Sequence, residues 1–181
     1  MYFETSGRHN TAKTIELALK VAEEKGIDYI VVASCSGYTA KFLAGSGKNI
    51  IVITHVNGFE EPGVMEIDEK TIEDLKKLGF KVYTGTHVLS GAERGISRKF
   101  AGIYPVEIMA HTLRMLGQGV KVAVEISIMA LDAGLIPYGE DIIAIGGTGE
   151  GADTAVVIRP SHAASIFETK IKEIICKPYE F

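Results

Sequence analysis

The sequence has few cysteines and no long apolar run. Its 181 residues contain two cysteines, Cys35 and Cys176, in unrelated contexts, which excludes a disulfide framework. No apolar stretch approaches the roughly 20 residues that a membrane span requires. Residues 1–5 lack the basic and apolar regions of a signal peptide. We therefore expect a cytoplasmic protein that does not bind membranes.

Concentrated positive charge is also missing. The formal net charge is −4, and no basic stripe lies beside aromatic residues, so nucleic acid is not an expected partner. No spacing of His, Cys, Asp and Glu is typical of a metal site, and we expect no metal. With 46% hydrophobic and 23% charged residues, the composition is that of a globular protein. The length predicts a single domain over residues 1–181.

Apolar, β-branched runs alternate with helical patterns along the chain. The runs that predict strands are 29–33, 49–54, 81–84, 142–145 and 153–159. This alternation predicts an α/β fold, a three-layer, doubly wound and mainly parallel sheet of five or more strands. The Gly- and Ser-rich segment 85–102 predicts a long functional loop, and residues 161–176 predict a final helix.

The turn after the strand at 29–33 is the leading candidate site. It joins that strand to a short helix, and its residues are Ser34, Cys35, Ser36, Gly37, Tyr38 and Thr39. Free backbone N–H groups beside hydroxyl groups in such a turn hold anions such as phosphate. The alternative is that these residues only end a strand and cap a helix. The sequence leaves both interpretations open.

A second glycine-rich turn follows the strand at 142–145. It contains Gly146, Gly147, Thr148 and Gly149, and Asp153 opens the next strand. Because the carboxyl ends of parallel strands meet at one edge of a sheet, we expect both turns to line one ligand site. The turn lacks the Gly-Lys-Ser/Thr ending of a Walker loop, and it does not match the dinucleotide-binding fingerprint.

Other polar side chains are expected near the same edge. Thr54 and His55 end one strand, and His87, Ser90 and Arg94 follow another. The histidines could serve as acid–base groups or ligand contacts, and the arginine could close over a phosphate. The alternative for the arginine is a solvated loop charge.

Two further residues carry a specific chemical expectation. The Cys35 thiol near a helix start could be nucleophilic, although a small residue packed behind the turn is the favoured interpretation. Glu125 stands in an otherwise apolar helix, and a buried carboxyl group there needs a partner or a raised pKa. Glu125 marks either the ligand cavity or an oligomer contact.

This order of motifs resembles the C-terminal α/β domain of pyruvate kinase. The resemblance is carried by Ser36-Gly37-Tyr38-Thr39-Ala40, the strand at 50–54, the helix at 120–133, and the closing strands with their Gly-rich loop at 142–154. The whole sequence more closely resembles free-standing archaeal and bacterial proteins of this domain type. It departs from pyruvate kinase in a longer segment at 55–102, and in Cys35 and Tyr38 where basic residues often stand.

The resemblance implies a domain without catalytic residues that in many members binds a phosphorylated sugar effector. It therefore implies phosphate-ligand binding at Ser34, Ser36, Gly37 and Thr39, with Thr54 and the loop at 146–149 beside them. It does not imply pyruvate kinase activity, because 181 residues could not hold the (β/α)₈ barrel as well.

The loss of basic residues from the first loop favours a monophosphate over a sugar bisphosphate. Flavodoxin-like sheets hold the phosphate of flavin mononucleotide (FMN) with a hydroxyl-rich turn, and Tyr38 and Phe100 could line a ring pocket here. The cofactor prediction is therefore FMN or a similar nucleotide, and otherwise a phosphorylated metabolite.

Two alternatives to a binding domain remain open. One is an enzyme that acts on a phosphorylated small molecule or through a bound flavin, with His55, His87 or Cys35 as the reacting group. The other is an assembly subunit, since the apolar helices at 106–116 and 120–131 could pair across a two-fold axis in a homo-oligomer.

Overall fold

A computed structural model describes all residues from Met1 to Phe181. The strands are β1 (Tyr2–Thr5), β2 (Tyr29–Ala33), β3 (Asn49–Ile53), β4 (Lys81–Tyr83), β5 (Ile142–Gly146), β6 (Thr154–Arg159) and β7 (Lys170–Glu180). The helices are α1 (Thr11–Lys25), α2 (Tyr38–Lys41), α3 (Glu69–Lys77), α4 (Gly91–Phe100), α5 (Pro105–Arg114) and α6 (Gln118–Asp132). Short 3₁₀ turns lie at Arg8–Asn10 and Ala163–Glu168.

All seven strands form one sheet in the order β1-β7-β6-β5-β2-β3-β4. The pairs β1–β7, β2–β5, β2–β3 and β3–β4 are parallel, whereas β6 runs antiparallel to both of its neighbours. The chain moves outward from β2 to β4 and then returns to the other side of β2 to form β5. A topological switch point therefore lies between β2 and β5, where sheets of this kind bind ligands beyond the carboxyl ends of the strands.

Helices cover both faces of the sheet. On one face, Ile15 of α1 and Leu75 of α3 pack with Ile30 and Val32 of β2. On the other face, residues of α5 and α6 pack with Val31, the residue between them. The alternation along β2 explains why its sequence is apolar throughout, since both of its faces are buried. The predicted three-layer, doubly wound and mainly parallel α/β fold is confirmed.

The start of α6 lies unusually close to the sheet. A Cβ atom on Gly119 would lie 2.1 Å from Thr154 Oγ1, and one on Gly146 would lie 2.6 Å from the Gly119 carbonyl oxygen. Helix and strands can approach this closely only because these two positions lack side chains. Gly146 therefore has a packing role.

The prediction of a long loop at 85–102 is wrong, because this segment contains the helix α4. None of the residues of α4 is buried, and its glycines at 91 and 95 give the segment the composition of a loop. It is held instead by polar contacts with α5. Glu93 Oε1 accepts the Glu107 N–H at 2.8 Å, and Ser97 Oγ donates to Glu107 Oε1 at 2.6 Å.

The expected final helix at 161–176 is also wrong. Apart from the short 3₁₀ turn, this region runs into β7, which pairs with β6 and with β1. The pairing of β6 with β7 has two register shifts, and such bulges break the two-residue alternation of a strand. Ile171, Ile174 and Ile175 are consequently spaced three and four residues apart, a spacing that imitates a helix.

The helices proposed for self-association differ in their exposure. Residues 120–131 of α6 are almost all buried inside the chain, so this helix is sheet cover. Ile108 on α5 and Met115 just after it are exposed, with relative accessibilities of 54% and 76%. Of these two helices only α5 leaves apolar side chains exposed, and self-association stays a prediction. None of the helices has the length and apolar character needed to cross a bilayer.

The close approach at Gly119 predicts the effect of a single methyl group. We expect Gly119→Ala to lower the free energy of unfolding in urea by about 1–3 kcal/mol, because the added Cβ overlaps Thr154. The matched control is Gly95→Ala on α4, where no atom lies within 4 Å of the added Cβ. This control should raise the stability by up to about 1 kcal/mol through helix propensity. Equal effects of the two substitutions would contradict the packing argument.

Candidate functional site

A cavity of about 510 Å³ opens beyond the carboxyl ends of β2, β3 and β5. Its walls come from the turn after β2, the segment after β3, the helices α4 and α6, and the turn after β5. The structure brings to this cavity most of the residues singled out by sequence: Ser34, Cys35, Ser36, Thr39, Thr54, His55, His87, Ser90, Arg94, Gly147 and Gly149. The two turns therefore face one space, as the switch-point topology requires.

Gly37 and Tyr38 do not line the cavity. Gly37 has a positive φ of 79°, and a Cβ there would lie 2.5 Å from Thr71 Cγ2, so glycine is needed for the turn itself. The Tyr38 ring lies under the Arg8 guanidinium, 3.8 Å from its centroid. Phe100 is 72% exposed at the end of α4 and is not part of the cavity wall. The ring pocket expected from Tyr38 and Phe100 is therefore wrong.

Gly146, Thr148 and Asp153 also lie outside the cavity wall. The buried Asp153 carboxylate accepts the Gly7 N–H at 3.1 Å and the Thr148 N–H at 3.2 Å through the same oxygen. Its other oxygen accepts the Thr154 hydroxyl at 2.8 Å. Asp153 thus fixes the glycine-rich turn from behind, and no oxygen atom of it is presented to a ligand in the cavity.

The turn after β2 presents donors to the cavity. The backbone N–H groups of Cys35 and Ser36, two residues of the cavity wall, donate to no carbonyl group of the chain. The Ser36 side chain is exposed, whereas Ser34 and Thr39 are buried in the wall. Unpaired N–H groups beside hydroxyl groups form a concave surface suited to an anion.

Two guanidinium groups line the cavity without a carboxylate partner. Arg94 on α4 forms no ion pair, and Arg114 Nε donates only to Gln118 Oε1, at 2.7 Å. Three carboxylates of the wall have a side-chain partner, in the pairs Glu66–His55, Glu125–Lys121 and Glu150–Arg8. Glu60 is the lining carboxylate without one. Arg94 and Arg114 are therefore the cationic groups of the wall that remain available to a ligand.

Three rings form one wall of the cavity. The His55 ring stacks on Phe59 with centroids 3.9 Å apart, and its Nδ1 is hydrogen-bonded to the Glu66 carboxylate. The His87 ring lies 5.5 Å from that of His55. His87 Nε2 accepts the Val56 N–H at 3.3 Å, which assigns the ring proton to Nδ1. Burial lowers the pKa of His87, against the opposing charge of Glu125, so this imidazole is neutral at pH 7.

A buried ion pair lies beside these rings. Lys121 Nζ donates to Glu125 Oε2 at 2.5 Å, and both side chains are only 6% exposed. The other oxygen of Glu125 accepts the Leu89 N–H at 2.9 Å. Burial lowers the pKa of Lys121, while the Glu125 charge acts in the opposite direction. The partner that the sequence required for Glu125 is thus one helical turn away, in the cavity wall.

Cys35 lines the cavity but is poorly suited to act as a nucleophile. Burial raises the pKa of its thiol, and the charges of Glu66 and Glu150 raise it further. The helix that follows has only four residues, which limits the dipole that could lower the pKa. The thiol form therefore predominates at neutral pH.

Sequence reasoning missed several residues of the wall, namely Phe59, Glu66, Arg114, Gln118 and Lys121. Lys121 had a signal, because it stands four residues before Glu125 in an otherwise apolar helix, and Arg114 and Gln118 share this spacing. Phe59 and Glu66 lie in the connection after β3, which has no periodic pattern. No pattern in the sequence would have placed these two at the cavity.

Comparison with known proteins identifies one family. The model described as "Pyruvate kinase, alpha/beta domain" matches residues 12–158, which leaves β1 and β7 outside the match. A crystal structure of a pyruvate kinase from Cryptosporidium parvum aligns over 82% of this chain, at 15% identity and a TM-score of 0.41. A second, in complex with ADP, aligns over 81% at 14% identity and a TM-score of 0.40. This chain covers 22% of each of those chains.

The buried pair predicts unequal effects of single and double substitutions. We expect Lys121→Met to lower the free energy of unfolding by about 3–5 kcal/mol, because Glu125 would remain as an unpaired buried charge. Adding Glu125→Gln should recover most of this loss, since the amide oxygen still accepts the Leu89 N–H and carries no charge. Urea denaturation measures both. A double variant no more stable than the single one would contradict this account.

The raised pKa of Cys35 predicts slow alkylation at neutral pH. At pH 7.5 iodoacetamide should react with Cys35 more slowly than with glutathione, and the rate should still be rising above pH 9. Cys176 is fully buried in β7, so Cys35→Ser should abolish labelling of the folded protein. An apparent pKa of Cys35 below that of glutathione would show that the thiol is activated.

Proposed function

This chain belongs to the pyruvate kinase alpha/beta domain family, and on that premise we propose that its cavity binds a phosphorylated small molecule. FMN or a similar nucleotide is the first candidate for this ligand. The proposal concerns the cavity between β2 and β5, and it assigns no pyruvate kinase activity to the chain.

The observation that carries the proposal is the pair of guanidinium groups, Arg94 and Arg114, without carboxylate partners. They line the same cavity as the turn after β2, with its unpaired N–H groups. A planar guanidinium group donates two parallel hydrogen bonds to a phosphate, and such charge-assisted bonds are among the strongest in proteins. A phosphate in the cavity would supply the acceptors that both elements lack.

The ring wall supports a ligand with a planar ring. Phe59 is 39% exposed although it lies at the cavity, and it stacks on the His55 ring. An exposed aromatic face in a ligand site is suited to stacking on a base, and such stacking contributes about 1–3 kcal/mol per base in proteins that bind single-stranded nucleic acid. The volume of about 510 Å³ lies within the usual range of small-molecule sites. These features favour a mononucleotide over a sugar phosphate.

The other parts of the proposal concern partners and location. We keep the cytoplasm as the proposed compartment, because both cysteines are free thiols, as is usual in a reducing environment. No nucleic acid or membrane partner is proposed. The proposed self-association uses the α5 side, and a sizing column tests it.

Calorimetric titration with FMN tests the role of the arginines. We expect Arg94→Ala and Arg114→Ala each to weaken FMN binding at least about tenfold, which is about 1.4 kcal/mol. Arg98→Ala is the matched control, since Arg98 lies on the same helix as Arg94 and does not line the cavity. Riboflavin, which lacks the phosphate, should bind all these forms with the same, weaker affinity. Equal FMN affinity in the Arg94 and Arg98 variants would refute the phosphate assignment.

A second titration separates ring recognition from phosphate recognition. Phe59→Ala should weaken FMN binding by about tenfold and leave the affinity for inorganic phosphate unchanged, because only the ring contact is removed. Tighter binding of fructose 1,6-bisphosphate than of FMN would replace the nucleotide by a sugar phosphate. If FMN, inorganic phosphate and fructose 1,6-bisphosphate all fail to bind, the proposal as a whole is refuted.

A further inference from the structure

The chain contains two histidine–carboxylate pairs, and one of them lies at the cavity. His55 Nδ1 is hydrogen-bonded to the Glu66 carboxylate, and His55 Nε2 has no hydrogen-bond partner in the chain. His162 Nδ1 is bonded to Asp132 Oδ1 at 2.7 Å, beside the Tyr138 ring and away from the cavity wall. A carboxylate on Nδ1 fixes the orientation of an imidazole and leaves Nε2 to exchange a proton with a bound molecule.

The neighbouring imidazole has the complementary arrangement. His87 Nε2 is occupied by the Val56 N–H, so its free polar atom is the protonated Nδ1. A neutral imidazole of this kind donates a hydrogen bond but does not readily take up a second proton. The two ring centroids are 5.5 Å apart, so one bound molecule can contact both rings. Two groups whose surroundings give them opposite roles are typical of acid–base sites.

We propose that this cavity catalyses reversible proton abstraction from the carbon atom next to a carbonyl group in a phosphorylated small molecule. In this assignment His55 is the base, Glu66 is its positioning residue, and His87 donates to the carbonyl oxygen. The inference rests on the proposed phosphate-binding function, because Arg94 and Arg114 anchor the same molecule.

The step is balanced without any further reactant. The C–H bond breaks, its proton passes to His55 Nε2, and its electron pair forms a carbon–carbon double bond. The carbonyl π pair moves onto the oxygen atom, which accepts the hydrogen bond from His87 Nδ1. The Glu66 carboxylate faces the positive charge that forms on His55, and the Lys121 ammonium lies in the same wall as the developing enolate. Return of a proton to either carbon completes the cycle.

Hydrogen exchange measures this reaction directly. Dihydroxyacetone phosphate in D₂O serves as the probe, because it has carbon-bound hydrogens next to a carbonyl group and carries one phosphate. We expect the protein to replace these hydrogens by deuterium, followed as loss of their proton NMR signal. His55→Gln and Glu66→Gln should each slow the exchange at least about 100-fold. The dissociation constant of the probe, measured by calorimetry, should change less than about threefold.

His162→Gln is the matched control, since it breaks the other histidine–carboxylate pair and should leave the exchange rate unchanged. An exchange rate that is the same in the wild type and in His55→Gln would overturn the assignment. Binding of the probe without exchange would overturn the proposed reaction and leave phosphate binding intact. Failure to bind either the probe or inorganic phosphate would overturn both proposals.

Discussion

The close contact between the start of α6 and the ends of β5 and β6 is the constraint on which the rest of the structure depends. Gly119 and Gly146 leave no room for a side chain there, so the helix is fixed in both distance and rotation against the sheet. The position of Gly119 determines where Lys121 and Glu125 project, because they follow it by about half a turn and by about one and two-thirds turns. Because both residues are glycines, the backbone of β5 lies directly against the backbone of α6 at this contact. This contact thereby places the buried ion pair in the wall of the cavity at the switch point.

The charged side chains around the cavity are of two kinds: some pair with another side chain of the protein, and others remain free to bind a ligand. Three of the lining carboxylates have cationic or histidine partners, and each pair ties together parts of the wall that are distant in sequence or holds one helix in place. Arg8 is an example, since it bonds Glu150 on one turn and covers Tyr38 of the other. The guanidinium groups of Arg94 and Arg114 lack such partners. A site that neutralises its acids internally can remain attractive to an anion although the whole chain carries a net charge of −4.

The sequence was informative wherever burial imposed a regular pattern. The strands at the centre of the sheet are covered on both faces, so their apolar runs predicted them and the switch-point rule then predicted which turns would face each other. β7 was missed because its bulges displace the isoleucines from strand alternation, and α4 was missed because its glycines and exposed side chains are typical of a loop. The same reason limits the prediction of the site. Residues that end strands could be located, whereas Phe59 and Glu66 lie in a connection whose course is set by tertiary contacts alone.

The pairing of β1 with β7 has a consequence for how the site is assembled. The Met1 nitrogen donates a hydrogen bond to the Ile175 carbonyl oxygen at 2.6 Å, although the two residues are 174 positions apart in the sequence. β1 is an edge strand of the sheet, and β7 is its only partner. The segment that leaves β1 then delivers the Gly7 N–H to Asp153 and the Arg8 side chain to Glu150. The glycine-rich turn is thus held in part by the segment that follows an edge strand, and fraying of that strand would loosen the turn while withdrawing only Phe3 from the hydrophobic core.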